Sequence, residues 1–163
     1  FPVNGKFNKE QTAIYELVLS VQEKIIAMVK PGLPFNEMQD KAAEFITDGL
    51  LELGILKGNK ETLMAEKAYT EFYPHRSGHW MGIDVHDVSH YQFDGQWRNL
   101  EAGMVLTVEP GIYIQPDNTH VDKKWLGIAV RIEDDIVVTK TGNKNLTEKL
   151  PKTIAEIEAL MAA

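Results

Sequence analysis

The sequence predicts an α+β fold in which helices and strands are segregated along the chain. Three observations carry this. Up to residue 67 the apolar residues recur at a helical period; from Glu71 helix formers give way to Gly, His, Tyr, Trp and β-branched residues; and a last helical run closes the chain. Helices followed by strands, without βαβ alternation, argue for an antiparallel sheet.

The first helix is expected over residues 8–30, where Ile14, Leu17, Val18, Val21, Ile25 and Val29 form one stripe. Asn8 suits its N-cap and Pro31-Gly32 stops it. The second is expected over residues 35–53, with Met38, Ala42, Phe45, Ile46 and Leu50 on one face. Pro34 or Asn36 opens it and Gly54 closes it. A weaker helical piece covers residues 61–67. Residues 104–109 form a strand stopped by Pro110-Gly111, and residues 111–114 a further extended segment. Residues 128–139 read as the clearest strand, closed by the turn Thr141-Gly142-Asn143. Thr153 caps a terminal helix over 154–161. The expected organisation is one domain over 1–163, with a helical half at 8–67, a sheet-rich half at 71–139 and a C-terminal helix at 153–162.

At 163 residues, 44% hydrophobic and 25% charged, the chain has the balance of a globular domain. A net charge of −7 argues against nucleic acid and against an anionic membrane face as partners. The absence of cysteine excludes a disulfide scaffold, a thiolate metal site and a cysteine nucleophile. No apolar run approaches the length of a membrane span. Phe1-Pro2-Val3-Asn4-Gly5-Lys6-Phe7 has neither the charged start nor the apolar stretch of a signal peptide. A cytoplasmic location is expected on these grounds. With no initiator methionine, the chain is expected to begin inside a longer reading frame.

Four of the five histidines, His75, His79, His86 and His90, lie within sixteen residues of one another. Imidazole is both a common metal ligand and a proton carrier near neutral pH. A spacing of four puts His75 and His79 on one face in helix or strand, and Gly82 permits a turn that returns His86 to them. His90 and His120 stand alone in polar loops and are expected to have no role. Period two in the strand ending at Glu109 sets Thr107 and Glu109 on one face and Leu106 and Val108 on the other. In the 128–139 run, Arg131 and Glu133 share a face opposite Val130 and Ile132. A solvated sheet face, or a structural Arg131–Glu133 pair, would explain these charges. The apolar strands instead suggest central positions, where a carboxylate needs a cation or a guanidinium beside it. One His and two Glu offer N,O,O donors suited to Zn²⁺, Mn²⁺ or Co²⁺. There is no H-E-x-x-H, no Gly-rich phosphate loop and no G-x-S-x-G elbow.

The stretch from His75 to Val88 (HRSGHWMGIDVHDV) resembles the histidine signature of the Xaa-Pro aminopeptidases, or aminopeptidase P. Gly103 to Gly111 (GMVLTVEPG) resembles the first glutamate motif of that family, and Gly127 to Asp135 (GIAVRIEDD) its second. The resemblance runs over essentially the whole chain. It implies the pita-bread fold shared with prolidases and methionine aminopeptidases: a curved antiparallel sheet inside, helices outside, and a metal site in the bowl. It implies that His79, Glu109 and Glu133 are metal ligands, with Glu133 bridging two metals in the family. His75 and His86 match histidines that contact substrate and stabilise the tetrahedral intermediate or carry protons. Glu109 also matches a proton-transfer group, and Arg131 an arginine beside the site. The implied reaction is release of the residue preceding proline from a peptide N-terminus, by attack of a metal-activated hydroxide.

The family site has two further ligands, both aspartates. By the resemblance, this sequence starts just after their place, so the pita-bread fold is expected to be incomplete, lacking its first strands. Three ligands imply one metal per chain rather than two, with manganese first and zinc or cobalt as alternatives. The expected partners are a proline-containing peptide and a second copy of the chain in a homodimer that covers strand edges left unpaired. A monomer with Phe1, Val3 and Phe7 folded over the gap is the other expectation; a dimer could also bring Asp134 or Asp135 of one copy nearer the other copy's site, although nothing in the sequence requires it. The alternative function is a non-catalytic remnant of the fold that binds peptide or associates with partner chains.

Overall fold

The computed structural model describes residues 1–162. Helix α1, Lys9–Met28, opens with a reciprocal cap: Asn8 Oδ1 accepts the Gln11 N–H at 2.8 Å and the Gln11 side chain accepts the Asn8 N–H at 2.9 Å. Its predicted stripe is the buried one, with Ile14, Val18, Val21 and Ile25 out of contact with water. Helix α2, Phe35–Glu52, starts after Pro34 without a side-chain cap, and Gly54 follows it at φ 69°. The two helices pack closely because Gly49 has no side chain; a Cβ there would lie 2.2 Å from Leu17 Cδ1. Helix α3, Lys60–Ala65, is capped by Asn59 and ends two residues before Lys67, which takes a left-handed φ of 54°.

Among the described residues seven short strands follow: β1 Gln92–Phe93, β2 Gln96–Trp97, β3 Val105–Val108, β4 Gly111–Tyr113, β5 Ala129–Arg131, β6 Asp134–Val138 and β7 Asn143–Asn145. They form three small antiparallel sheets, β1-β2, β3-β6-β7 and β4-β5. Helix α4, Ile154–Met161, is capped by Thr153 and Glu156. Helices plus antiparallel strands give the expected α+β architecture, although the one curved sheet is divided into three small sheets. The β1-β2 hairpin was not among the expected strands. Its signal is Asp94-Gly95, whose φ values of 49° and 75° make the tight turn.

The expected single strand over 128–139 is a correction. It is two strands, β5 and β6, which pair with different partners: Gly111 faces Arg131, and Val108 faces Asp134. The break lies opposite Pro110, which has no N–H to continue a ladder; its carbonyl still accepts from Ile132 N–H at 3.4 Å. The alternation survives the break. Ile132, Asp134, Ile136 and Val138 are buried, while Arg131 and Glu133 are exposed on the other face.

The core lies between the α1–α2 stripe and the strand residues Leu106, Val108, Ile112 and Ile136. Burying side chains of this size stabilises the fold by about 1.5–3 kcal/mol each, before conformational entropy is subtracted. Near the N-terminus the Glu158 carboxylate accepts the Phe7 N–H and the Lys6 ammonium, each at 3.0 Å, and the Phe7 ring meets Tyr15 at 5.0 Å. Of the three residues in the monomer expectation, Phe7 packs against the core, while Phe1 and Val3 are exposed at 72% and 96%.

Candidate metal centre

Residues 77–81 run as an irregular extra strand along β3. Ser77 O accepts the Glu109 N–H at 2.7 Å, His79 O accepts the Thr107 N–H at 2.9 Å, and Met81 N–H donates to Val105 O at 3.0 Å. The Thr107 hydroxyl accepts the His79 N–H at 3.1 Å. Glycine at 78 makes this approach possible, since a Cβ there would sit 2.0 Å from Thr107 O. The pairing brings His79 Nε2 to 3.4 Å from Glu109 Oε1. Glu109 Oε1 also accepts the Thr107 hydroxyl at 3.3 Å, and Arg131 Nη1 lies 3.6 Å from Glu109 Oε2. Glu133 comes in from the β5–β6 junction. One donor atom from each of His79, Glu109 and Glu133 lies within 4.8 Å of the others.

The protonation pattern suits a cation. His79 Nδ1 is 2.9 Å from Trp80 O and donates to it, which leaves the Nε2 lone pair facing the carboxylates. The Glu133 pKa is raised, first by partial burial of its carboxyl end and then by the negative charges of Glu109 and Asp135. A divalent ion would relieve that crowding. Burial differs from expectation at one ligand position. The Glu109 side chain is 12% exposed, but Glu133 is exposed in this chain, so solvent rather than strand burial surrounds much of it.

His86 does return, as the glycine turn allowed. Gly82 N–H donates to Asp84 O at 3.2 Å and Asp87 N–H to Trp80 O at 3.1 Å, and the His79 and His86 rings meet edge to face at 4.4 Å. His75 Nδ1 donates to Arg76 O at 2.7 Å, so its Nε2 accepts from Tyr113 OH at 3.0 Å. That hydroxyl in turn accepts from Arg131 Nε at 2.6 Å. Burial is the first cause lowering the His75 pKa, and the Arg131 charge acts the same way. Tyr113 escaped the sequence reading, although strand parity with Glu109 and Gly111 was a usable signal.

His75, His79, His86, Glu109 and Arg131 all line one cavity of about 700 Å³. His90 lines it too, carried there by the 81–90 loop, whose path nothing in the local sequence fixes. His120 is exposed, as expected. Asp134 is not available to a neighbouring copy. It is 2% exposed, on the face opposite Glu133, and its Oδ1 takes hydrogen bonds of 2.6 Å from both Lys152 Nζ and the Thr147 hydroxyl. Satisfied inside its own chain, it cannot serve a neighbour's site.

Residues 1–140 match the sequence profile of metallopeptidase family M24. The chain belongs to this family. Its relatives include the Xaa-Pro aminopeptidases of Haemophilus influenzae, 52% identical over 161 residues, and of Escherichia coli, 49% identical over 163. The chain spans 37% and 36% of those proteins. Among solved structures, Pseudomonas aeruginosa aminopeptidase PepP superposes with a TM-score of 0.97 at 57% identity, over 99% of this chain and 37% of that one. A zinc-substituted E. coli aminopeptidase P in complex with product gives 0.94 at 48%, over 99% and 36%. The fold is therefore that of the aminopeptidase P structures, the α+β pita-bread fold, of which the chain spans a part. M24 membership also implies a divalent metal. Among the described residues no helix is long and apolar enough to cross a membrane.

Proposed function

We propose that this chain carries the metal-binding and proton-handling half of an Xaa-Pro aminopeptidase site. The observation that carries this reading is the convergence of His79, Glu109 and Glu133 within 4.8 Å, beside a cavity that His79 and Glu109 line together with His75, His86 and Arg131. His79, Glu109 and Glu133 are the ligands of one divalent ion per chain, manganese foremost, with zinc or cobalt as alternatives. When bound, such an ion supplies Lewis-acid activation of water and of the scissile carbonyl. Glu109, with one oxygen held near Thr107 and Arg131 beside the other, is the proton-transfer group. His86, ring to ring with His79, donates to charge developing on the peptide. His75 is aimed by Tyr113 and Arg131, which together fix its tautomer and direction.

The test is release of the first residue from Xaa-Pro peptides by manganese-loaded protein, and its loss on chelation. No cleavage by fully loaded protein would shift the weight to a peptide-binding remnant. His86→Ala should leave metal content unchanged while lowering turnover by about 10²–10⁴-fold, the usual worth of a positioned acid or base. Metal loss in that variant would remove the proton role and make His86 a support for His79.

We infer also that the chain pairs with a second copy. The reading is supported by Ile83, Val85 and Val88, exposed at 103%, 65% and 91% along one loop beside the cavity. Light scattering at micromolar concentration should give a mass near twice 18.4 kDa. A mass of one chain that persists on concentration would rule this out.

A further inference from the structure

We propose that Gln39, on α2, is a positioning residue for the metal centre, an inference that rests on the ligand set assigned above. Its amide oxygen accepts the Ser77 N–H at 2.7 Å and lies 3.1 Å from the Ser77 hydroxyl and 3.2 Å from the Tyr73 hydroxyl, one of which donates to it while the other donates to its fellow hydroxyl. The two hydroxyls are themselves 2.5 Å apart. Tyr73 and Ser77 are 1% and 3% exposed, so water cannot replace these bonds.

Ser77 transmits the contact. While Gln39 holds its N–H, its carbonyl accepts the Glu109 N–H at 2.7 Å. One residue thus joins α2 to the backbone of Glu109, two residues before His79 and two after His75. The segment needs this anchor. Phe72 O accepts from Tyr113 N–H at 2.8 Å, and the next backbone tie between the histidine segment and the strands is Ser77 to Glu109. Pro74 between them has no N–H to offer. Gln39 closes that gap from the helix side. Without it, the start of the 77–81 segment is free to lift from β3, and His79 and Glu109 lose their common register. Only the acceptor oxygen of Gln39 is engaged, so the role needs an oxygen at this place and not an amide.

Two variants separate positioning from plain structural support. Gln39→Leu keeps the size and removes the acceptor; Gln39→Glu keeps the acceptor. In metal-free protein, Gln39→Leu should speed hydrogen exchange of the Ser77 and Glu109 amides by about tenfold or more, while the amides joining β3 to β6 stay as slow as in the parent. It should weaken Co²⁺ binding about 10–100-fold, the range for groups that orient a ligand, and Gln39→Glu should restore affinity to within about threefold. Unchanged Ser77 and Glu109 exchange would overturn the proposal. So would a uniform rise across β3 and β6, or a Glu variant that fails as the Leu variant does. If the parent itself binds no Co²⁺, the ligand assignment falls, and the exchange comparison still decides whether Gln39 holds this segment.

Discussion

Glu133→Ala should lower the affinity for Mn²⁺ by at least about 100-fold, more than the roughly 10–100-fold that groups supporting a ligand are worth. Glu133 is the clean position for this experiment. It is exposed, so its removal leaves no cavity, whereas Glu109 also contacts His79, Thr107 and Arg131. Its pKa is raised, first by partial burial of the carboxyl end and then by the negative charges of Glu109 and Asp135, so ionised Glu133 is held there at a cost. Metal-free Glu133→Ala should therefore melt at or above the parent temperature. Added Mn²⁺ should separate the two proteins. At a hundredfold excess over Kd the parent gains about 2.7 kcal/mol, roughly 5–10 °C for a chain of this size, and the variant gains little. Isothermal titration and melting curves with and without metal check both statements. An equal rise in both proteins would remove Glu133 from the ligand set.

Gly78→Ala should be the most destabilising small substitution in the site region. The added Cβ would meet the carbonyl oxygen of Thr107 at 2.0 Å, and backbone cannot rotate aside as a side-chain end can. The segment must part from β3, at a cost of about 3 kcal/mol, the upper end for inserted atoms. The hydrogen bonds on either side, Glu109 N–H to Ser77 O and Thr107 N–H to His79 O, go with it. His79 then leaves Glu109, so metal affinity should fall along with stability. Gly142→Ala is the control. A Cβ added at Gly142 would meet no heavy atom within 4 Å, and the residue is not among those with positive φ, so its change should stay within about 0.5 kcal/mol. Urea unfolding of the two variants beside the parent measures the contrast. A Gly78→Ala protein as stable as Gly142→Ala would mean that the 77–81 segment does not lie against β3.

Some of this molecule is written in short stretches of sequence. The α1 and α2 stripes, the Asn8 and Thr153 caps, and the Thr107–Glu109 and Arg131–Glu133 parities depend on neighbours within four residues. Backbone geometry fixes those periods wherever the chain lies. The three motifs also named His75, His79, His86, Glu109, Arg131 and Glu133 as one group, and all but Glu133 line the same cavity, with Glu133 reaching the cluster from the strand junction. Other features are decided between distant segments. The β5–β6 break is set by Pro110 on the opposing strand, some twenty residues away in sequence. Tyr113 gains its role only when β4 lies against β5 and its hydroxyl falls between His75 and Arg131. Gln39 reads as one more polar residue of an amphipathic helix until the histidine segment is laid across it. Asp134 and Glu133 are adjacent acids of similar chemistry. The pleat turns one inward to Lys152 and the other outward to His79, and only the packed tertiary structure supplies those two partners.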